Sequence, residues 1–328
     1  MREFAKPVLL LLALFIGQTG CRKSPTSQQA NANQPPPPAA AVAPAPPRMS
    51  EAQLQEAISM EKKLEADKQQ PPEYTHYNLG NYYAAAGKYQ EAANEFKQVI
   101  SLSPQDAEAY LHLGDAYGAL NQPQDALQAY KQALQINPKL SEAYVRLGNF
   151  YRSANQPDEA LKMFQQAIGV NPKDAVAYFQ LGDLRMQRGE TDEAVKAYQQ
   201  ATRLQPSLAD AQFSLGNAYD KQNQPKLALE AYKQAARYAP QNEDAWFNLG
   251  NTYSRLNQPD EAIKAFRKAI ELKPDDAEAR RLLGLIYVQK GDKKGAGEQY
   301  EALKQLNPQF AAMLGQAINN PAQQPASK

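Results

Sequence analysis

A period of 34 residues governs this chain from Glu73 to Phe310. The dipeptide Leu-Gly stands at Leu79-Gly80, Leu113-Gly114, Leu147-Gly148, Leu181-Gly182, Leu215-Gly216, Leu249-Gly250 and Leu283-Gly284, always 34 residues apart. Prolines 104, 138, 172, 206, 240, 274 and 308 keep the same interval, as do alanines 92, 126, 160, 194, 228, 262 and 296. Chance does not set three registers in phase. A unit this short cannot bury its apolar face alone, so the copies must stack and share a core, and stability must sum over neighbours.

The spacing inside each unit is helical. Tyr144, Leu147 and Tyr151 fall at i, i+3 and i+7, on one face of a helix. The glycine after the leucine leaves room for a second helix, and the recurrent alanine does the same on that helix. Four residues beyond it an aromatic recurs (Phe96, Tyr130, Phe164, Tyr198, Tyr232, Phe266, Tyr300), expected to fill the space between hairpins. Gly87, Asn121, Asn155, Gly189, Asn223, Asn257 and Gly291 should end the first helix, because these types tolerate left-handed backbone. Pro123, Pro157, Pro225 and Pro259 suit the first turn of the second helix, and the late proline should end it.

Period and pattern together resemble the tetratricopeptide repeat family. The sixth unit carries the whole pattern in Trp246, Leu249, Gly250, Tyr253, Ala262, Phe266 and Pro274. The units run 73–106, 107–140, 141–174, 175–208, 209–242, 243–276 and 277–310. The resemblance implies an all-α fold, a right-handed solenoid of seven helical hairpins whose first helices line a concave groove. Ends of such an array need covers. Residues 50–72 should supply one, with Ser50 and Gln53 as a capping box and Leu54, Ile58 and Leu64 on one side. Residues 311–328 hold the other, a short closing helix within Phe310 to Ile318 and a tail.

Before the array lies an address. Arg2 and Lys6 precede nine apolar residues, Val8 to Ile16, then Gly17-Gln18-Thr19-Gly20 and Cys21, the only cysteine. This is the layout of a signal peptide over 1–20, and nine apolar residues fall short of the roughly 20 that span a bilayer. Thr19-Gly20-Cys21 resembles a bacterial lipobox, although Gln18 departs from it; Cys21 is then the lipidation site and the link to a membrane. The alternative is an ordinary cleaved signal. Residues 22–49 hold eight prolines and no aromatic residue. They should form a disordered tether, reaching roughly 30 Å as a coil.

Function must sit where the period breaks or leaves choice. The residue after each Leu-Gly is Asn81, Asp115, Asn149, Asp183, Asn217, Asn251 and finally Leu285. In the family's register it faces the groove, where amides and acids can pair with both donors and acceptors of an extended peptide; simple family preference explains the same ladder. Three residues before each glycine stand Tyr77, Leu111, Val145, Phe179, Phe213, Phe247 and Arg281. Phe179, Phe213 and Phe247 are candidate anchors, or else packing between adjacent helices. Arg146, with Arg152, could grip an acidic ligand group. The last unit departs most: Arg280 and Arg281 replace its aromatic start, Leu282, Leu285 and Val288 are apolar, and Gly295 and Gly297 weaken its second helix. Either the tail covers that face or a partner docks there.

Several classes are disfavoured. The net charge is +1, too little to neutralise phosphates, so nucleic acid is not expected. One cysteine and two histidines, His76 and His112, leave no metal centre, and no phosphate loop or nucleophile elbow occurs, so no cofactor, small-molecule substrate or catalytic residue is expected. The expectation is a non-enzymatic adaptor at a bacterial cell envelope, exported and lipid-anchored, that binds partner proteins or peptides. A soluble periplasmic scaffold, or the substrate-recognition subunit of an enzyme such as a glycosyltransferase, is the alternative.

Overall fold

The structure, a computed structural model, describes residues 50–67 and 69–320. The leader, Cys21 and the tether lie outside the described residues, as does the tail from 321. Among the described residues there are 16 helices and no strand. The chain divides into two compact units between Glu190 and Thr191, inside the fourth repeat.

The first unit holds α1 (Glu51–Ala66), α2 (Pro72–Ala85), α3 (Tyr89–Leu102), α4 (Ala107–Ala119), α5 (Pro123–Ile136), α6 (Ser141–Ser153), α7 (Pro157–Val170) and α8 (Ala175–Gln187). The second holds α9 (Thr191–Leu204), α10 (Ala209–Lys221), α11 (Pro225–Tyr238), α12 (Glu243–Arg255), α13 (Pro259–Leu272), α14 (Ala277–Gln289), α15 (Lys293–Leu306) and α16 (Pro308–Asn319). Within each unit consecutive helices pack as antiparallel hairpins, the arrangement of a repeat solenoid.

Local chemistry sets the boundaries. The residues with positive φ are Gly87, Asn121, Asn155, Gly189, Asn223, Asn257 and Gly291, at φ between 55° and 78°. Each closes the first helix of its repeat, where the chain must reverse and only glycine or asparagine bears left-handed geometry cheaply. Pro123, Pro157, Pro225 and Pro259 open the second helices, where their missing N–H costs nothing.

The Leu-Gly glycine meets the aromatic of its own hairpin. A Cβ on Gly148 would lie 2.4 Å from Phe164, and one on Gly114 2.5 Å from Tyr130. In the first, second, third, fifth and sixth repeats the rings therefore seal the hairpin internally rather than only filling the space between hairpins. Phe96, Phe164, Tyr198, Tyr232 and Phe266 are at most 1% exposed, and each such ring contributes about 1.5–3 kcal/mol by burial.

Both ends carry an extra helix. Ser50 and Gln53 form the capping box that opens α1, and Leu54 and Ile58 are buried against α2. At the other end Asn307 caps α16 by accepting from the Gln309 and Phe310 amides. Helix α16 packs on α14 and α15, with Leu314 fully buried and Leu285 and Val288 beneath it. The chain's own tail thus takes the apolar face of the last repeat. Here the pattern of the other hairpins changes: Leu314, not Tyr300, fills the space over Gly284, at 2.4 Å from its would-be Cβ.

Candidate functional site

The three phenylalanines singled out as anchors do not stand free. Phe179 is 6% and Phe213 2% exposed, and Phe247 is half-buried. Phe213 lies 5.8 Å from the Tyr232 ring, and Phe247 meets the Phe266 ring edge-on at 5.8 Å. Leu111 and Val145, in the same register, are 1% and 2% exposed. In the second to fifth repeats the position belongs to the core, and in the fifth the aromatic of the second helix packs against it. Phe179 and Phe213 are packed, the alternative to an anchor at this register.

The ladder after Leu-Gly is half-buried along its whole length and is used unevenly. Asp115 accepts from the Tyr130 hydroxyl at 2.8 Å and from Arg146 Nε at 2.7 Å. Asn217 Oδ1 accepts from the Tyr232 hydroxyl at 2.8 Å and from Asn248 Nδ2 at 3.4 Å. Asn149 Oδ1 accepts from Arg152 Nη2 at 3.0 Å, and Arg152 Nη1 stands 3.8 Å from Asp183. The side chains of Asn81 and Asn251 make no hydrogen bond to another described residue. Burial, and then the adjacent carboxylate (Asp115 or Asp220), pushes the Tyr130 and Tyr232 phenols far above their ordinary range, so both remain donors.

Arg146 is engaged within the chain. Besides Asp115 it donates to Glu142 at 2.9 Å, so two carboxylates of the chain already occupy it. His76 is likewise engaged, its Nδ1 2.6 Å from Glu95 across the first hairpin. Among the described residues no group of three or more His, Cys, Asp and Glu is placed to hold a metal ion. No described helix is long and apolar enough to cross a membrane.

Two devices escaped the sequence reading. Gln212 Nε2, Trp246 Nε1 and Arg280 Nε each donate to the carbonyl of the proline six residues back (Pro206, Pro240 and Pro274) at 3.2, 3.0 and 3.0 Å. Arg280 is therefore no departure; it performs the bond of Trp246 with another donor. The shared feature is a long side chain with a terminal N–H, a signal visible only by reading donors instead of ring types. The second is Glu61 of α1, 1% exposed, which accepts from Gln70 Nε2 at 2.5 Å, Asn78 Nδ2 at 3.2 Å and the Tyr82 hydroxyl at 3.4 Å. Three neutral donors hold that carboxylate, and its neighbours in sequence, Met60, Lys62 and Lys63, gave no hint of it.

Stacked antiparallel hairpins, left-handed turns every 34 residues and a glycine sealed by an aromatic define an all-α repeat protein. Tetratricopeptide repeat profiles match residues 77–141 and 119–181. The profile of the cilia and flagella-associated protein 70 C-terminal domain matches 174–309. The chain belongs to the tetratricopeptide repeat family, whose members commonly serve as protein-interaction scaffolds. Pseudomonas aeruginosa PilF shares the fold with a TM-score of 0.55 at 17% identity, over 65% of this chain and 99% of that one. Cut9–Hcn1, the hetero-tetramer of the APC/C, gives 0.53 at 18% identity, over 81% and 52%. MamA is 30% identical over 51% of this chain and 97% of its own, with a TM-score of 0.45. The comparison with curated proteins gave no match.

Proposed function

We propose that this protein is a non-enzymatic docking scaffold, tethered to a bacterial cell envelope through lipid on Cys21, that holds partner proteins by extended segments laid on its first helices. One observation carries the docking part: polar side chains on those helices, Asn81 and Asn251 among them, are half-buried yet serve neither core nor internal hydrogen bonds. A half-buried amide without a partner is poorly solvated and gains from pairing with a peptide. Tyr77 stands four residues before Asn81 on its helix in the first unit and Phe247 four before Asn251 on its helix in the second, and the partners are proteins or peptides of no fixed identity.

The anchor rests on the sequence: the sole cysteine follows a basic start, an apolar run and Thr19-Gly20. Two or more acyl chains there would hold the protein stably, at about 0.8 kcal/mol per buried CH₂. Fractionation of cells carrying Cys21→Ala tests it. The variant should leave the membrane fraction; retention equal to the parent's would end the lipid reading. Crosslinking in intact envelopes, followed by mass spectrometry, tests the docking part, and recovery of no protein crosslinked through α2, α4 or α6 would count against it.

A further inference from the structure

The two helices that close the array are finished differently. The terminal unit of a solenoid faces water, and a covering helix ordinarily meets it with a polar outer face. Helix α1 does so with charge: Glu51, Glu56, Lys62 and Lys63 are all exposed. Helix α16 does not. It is the only one of the 16 described helices without a charged residue, and none occurs in the sequence between Lys304 and Lys328.

The two sides of α16 separate cleanly. Ala311 and Leu314 are buried, and Phe310 and Ile318 pack partly with them against the last hairpin. Gln309, Ala312, Met313 and Gln316 fall at i, i+3, i+4 and i+7, on the opposite side of the helix. All four are exposed, Met313 by 58%, so no described element covers that strip. Leu306, 41% exposed, stands just ahead of it.

We infer that this outer strip is where a second copy of the chain pairs with the first, α16 against α16 about a two-fold axis. Such an axis sets a patch against its own copy, so a charge near the axis repels itself and a neutral patch does not. The strip meets that condition along its whole length. A carboxamide both donates and accepts, so Gln309 and Gln316 match the glutamines of a second copy without any change of partner type. Ala312 lets the two helices approach closely, and Met313, unbranched and polarizable, adapts to the space that remains. The face is small. Twelve helical residues measure about 18 Å, and one side of such a helix falls short of the roughly 800 Å² that each partner gives to a standard stable complex. The pair is therefore transient in dilute solution and forms where copies are crowded. It is separate from the first helices on which partners are proposed to dock.

Sedimentation velocity of the full chain in detergent solution, over a series of concentrations, reads the pairing. The parent should shift from monomer toward dimer as concentration rises. Met313→Glu and Met313→Lys should each stay monomeric over the same series, because like charges then face one another across the axis. An equal mixture of the two variants should recover the dimer, which also shows that both are folded. Met313 lies outside the core, so circular dichroism melts of the three chains should coincide. A parent that remains monomeric throughout would overturn the inference. So would charged variants that pair as the parent does, or a mixture of them, both folded, that fails to pair.

Discussion

The Tyr232 hydroxyl lies 2.8 Å from Asn217 Oδ1 and 3.0 Å from Asp220 Oδ2, so one phenol ties two turns of α10 to the middle of α11. Arg255 then closes on Asp220 at 2.6 Å from the following repeat. The bond is intramolecular, polar and shielded, and its loss leaves acceptors behind. Tyr232→Phe should lower stability by about 1–2 kcal/mol, read as a fall in the urea midpoint, with helicity unchanged. A midpoint equal to the parent's would mean the phenol is spectator to the fold.

Glycines of this chain divide by what stands over them. A methyl on Gly148 would sit 2.4 Å from the Phe164 ring, whereas one on Gly297 of α15 meets nothing within 4 Å. Gly148→Ala should destabilise by about 1–3 kcal/mol through overpacking. Gly297→Ala should stabilise by about 0.5–1 kcal/mol through helix propensity alone. Thermal melts of the two variants should therefore move in opposite directions.

The most deeply buried side chain of the closing helix is a leucine. Leu314 is fully buried over Gly284. Leu314→Ala should cost about 2–5 kcal/mol locally, and hydrogen exchange should speed across 308–319 before it does so in α10 or α11. Uniform exchange in the variant would show that α16 does not depend on this contact.

Alkali should find the same weak points. In the folded protein burial first, then nearby carboxylates, raise the phenols of Tyr77, Tyr130 and Tyr232 above the ordinary value near 10. A phenol raised on folding contributes stability fully present below its unfolded pKa and lost as pH climbs past it. Stability should thus fall above about pH 10, and a subset of tyrosines should ionise at 295 nm only as the helical signal collapses. Smooth ionisation of every tyrosine in the still-folded protein would contradict this.

What the sequence disclosed is what repeats. The turn residues from Gly87 to Gly291 were readable because left-handed backbone admits few residue types, and the Leu-Gly glycines because seven copies mark one close approach. The candidate site was read less well. Periodicity says which face of a helix a residue shares, yet Phe213 stands three residues before its Leu-Gly glycine and Asn81 one residue after its own, on one helix face, and only packing shows that one is sealed and the other is not. Pairings such as Asp115 with Arg146 join different repeats 31 residues apart, a separation that no within-helix spacing rule reports. Glu61 was missed because a carboxylate on an amphipathic helix ordinarily marks its wet side.

Growth of repeat arrays proceeds by copying hairpins, and each new copy must set its first helix on the last exposed one. In this chain that berth is taken: Leu314 of α16 already fills the space over Gly284, with Ile318 packed beside the last hairpin. Duplication of an internal 34-residue unit leaves this arrangement untouched, whereas an extra unit appended after Phe310 must evict the closing helix. Lineages that lengthened this protein would be expected to have done so from within, and an engineer adding a hairpin should insert it ahead of Ala277 and leave the terminus alone.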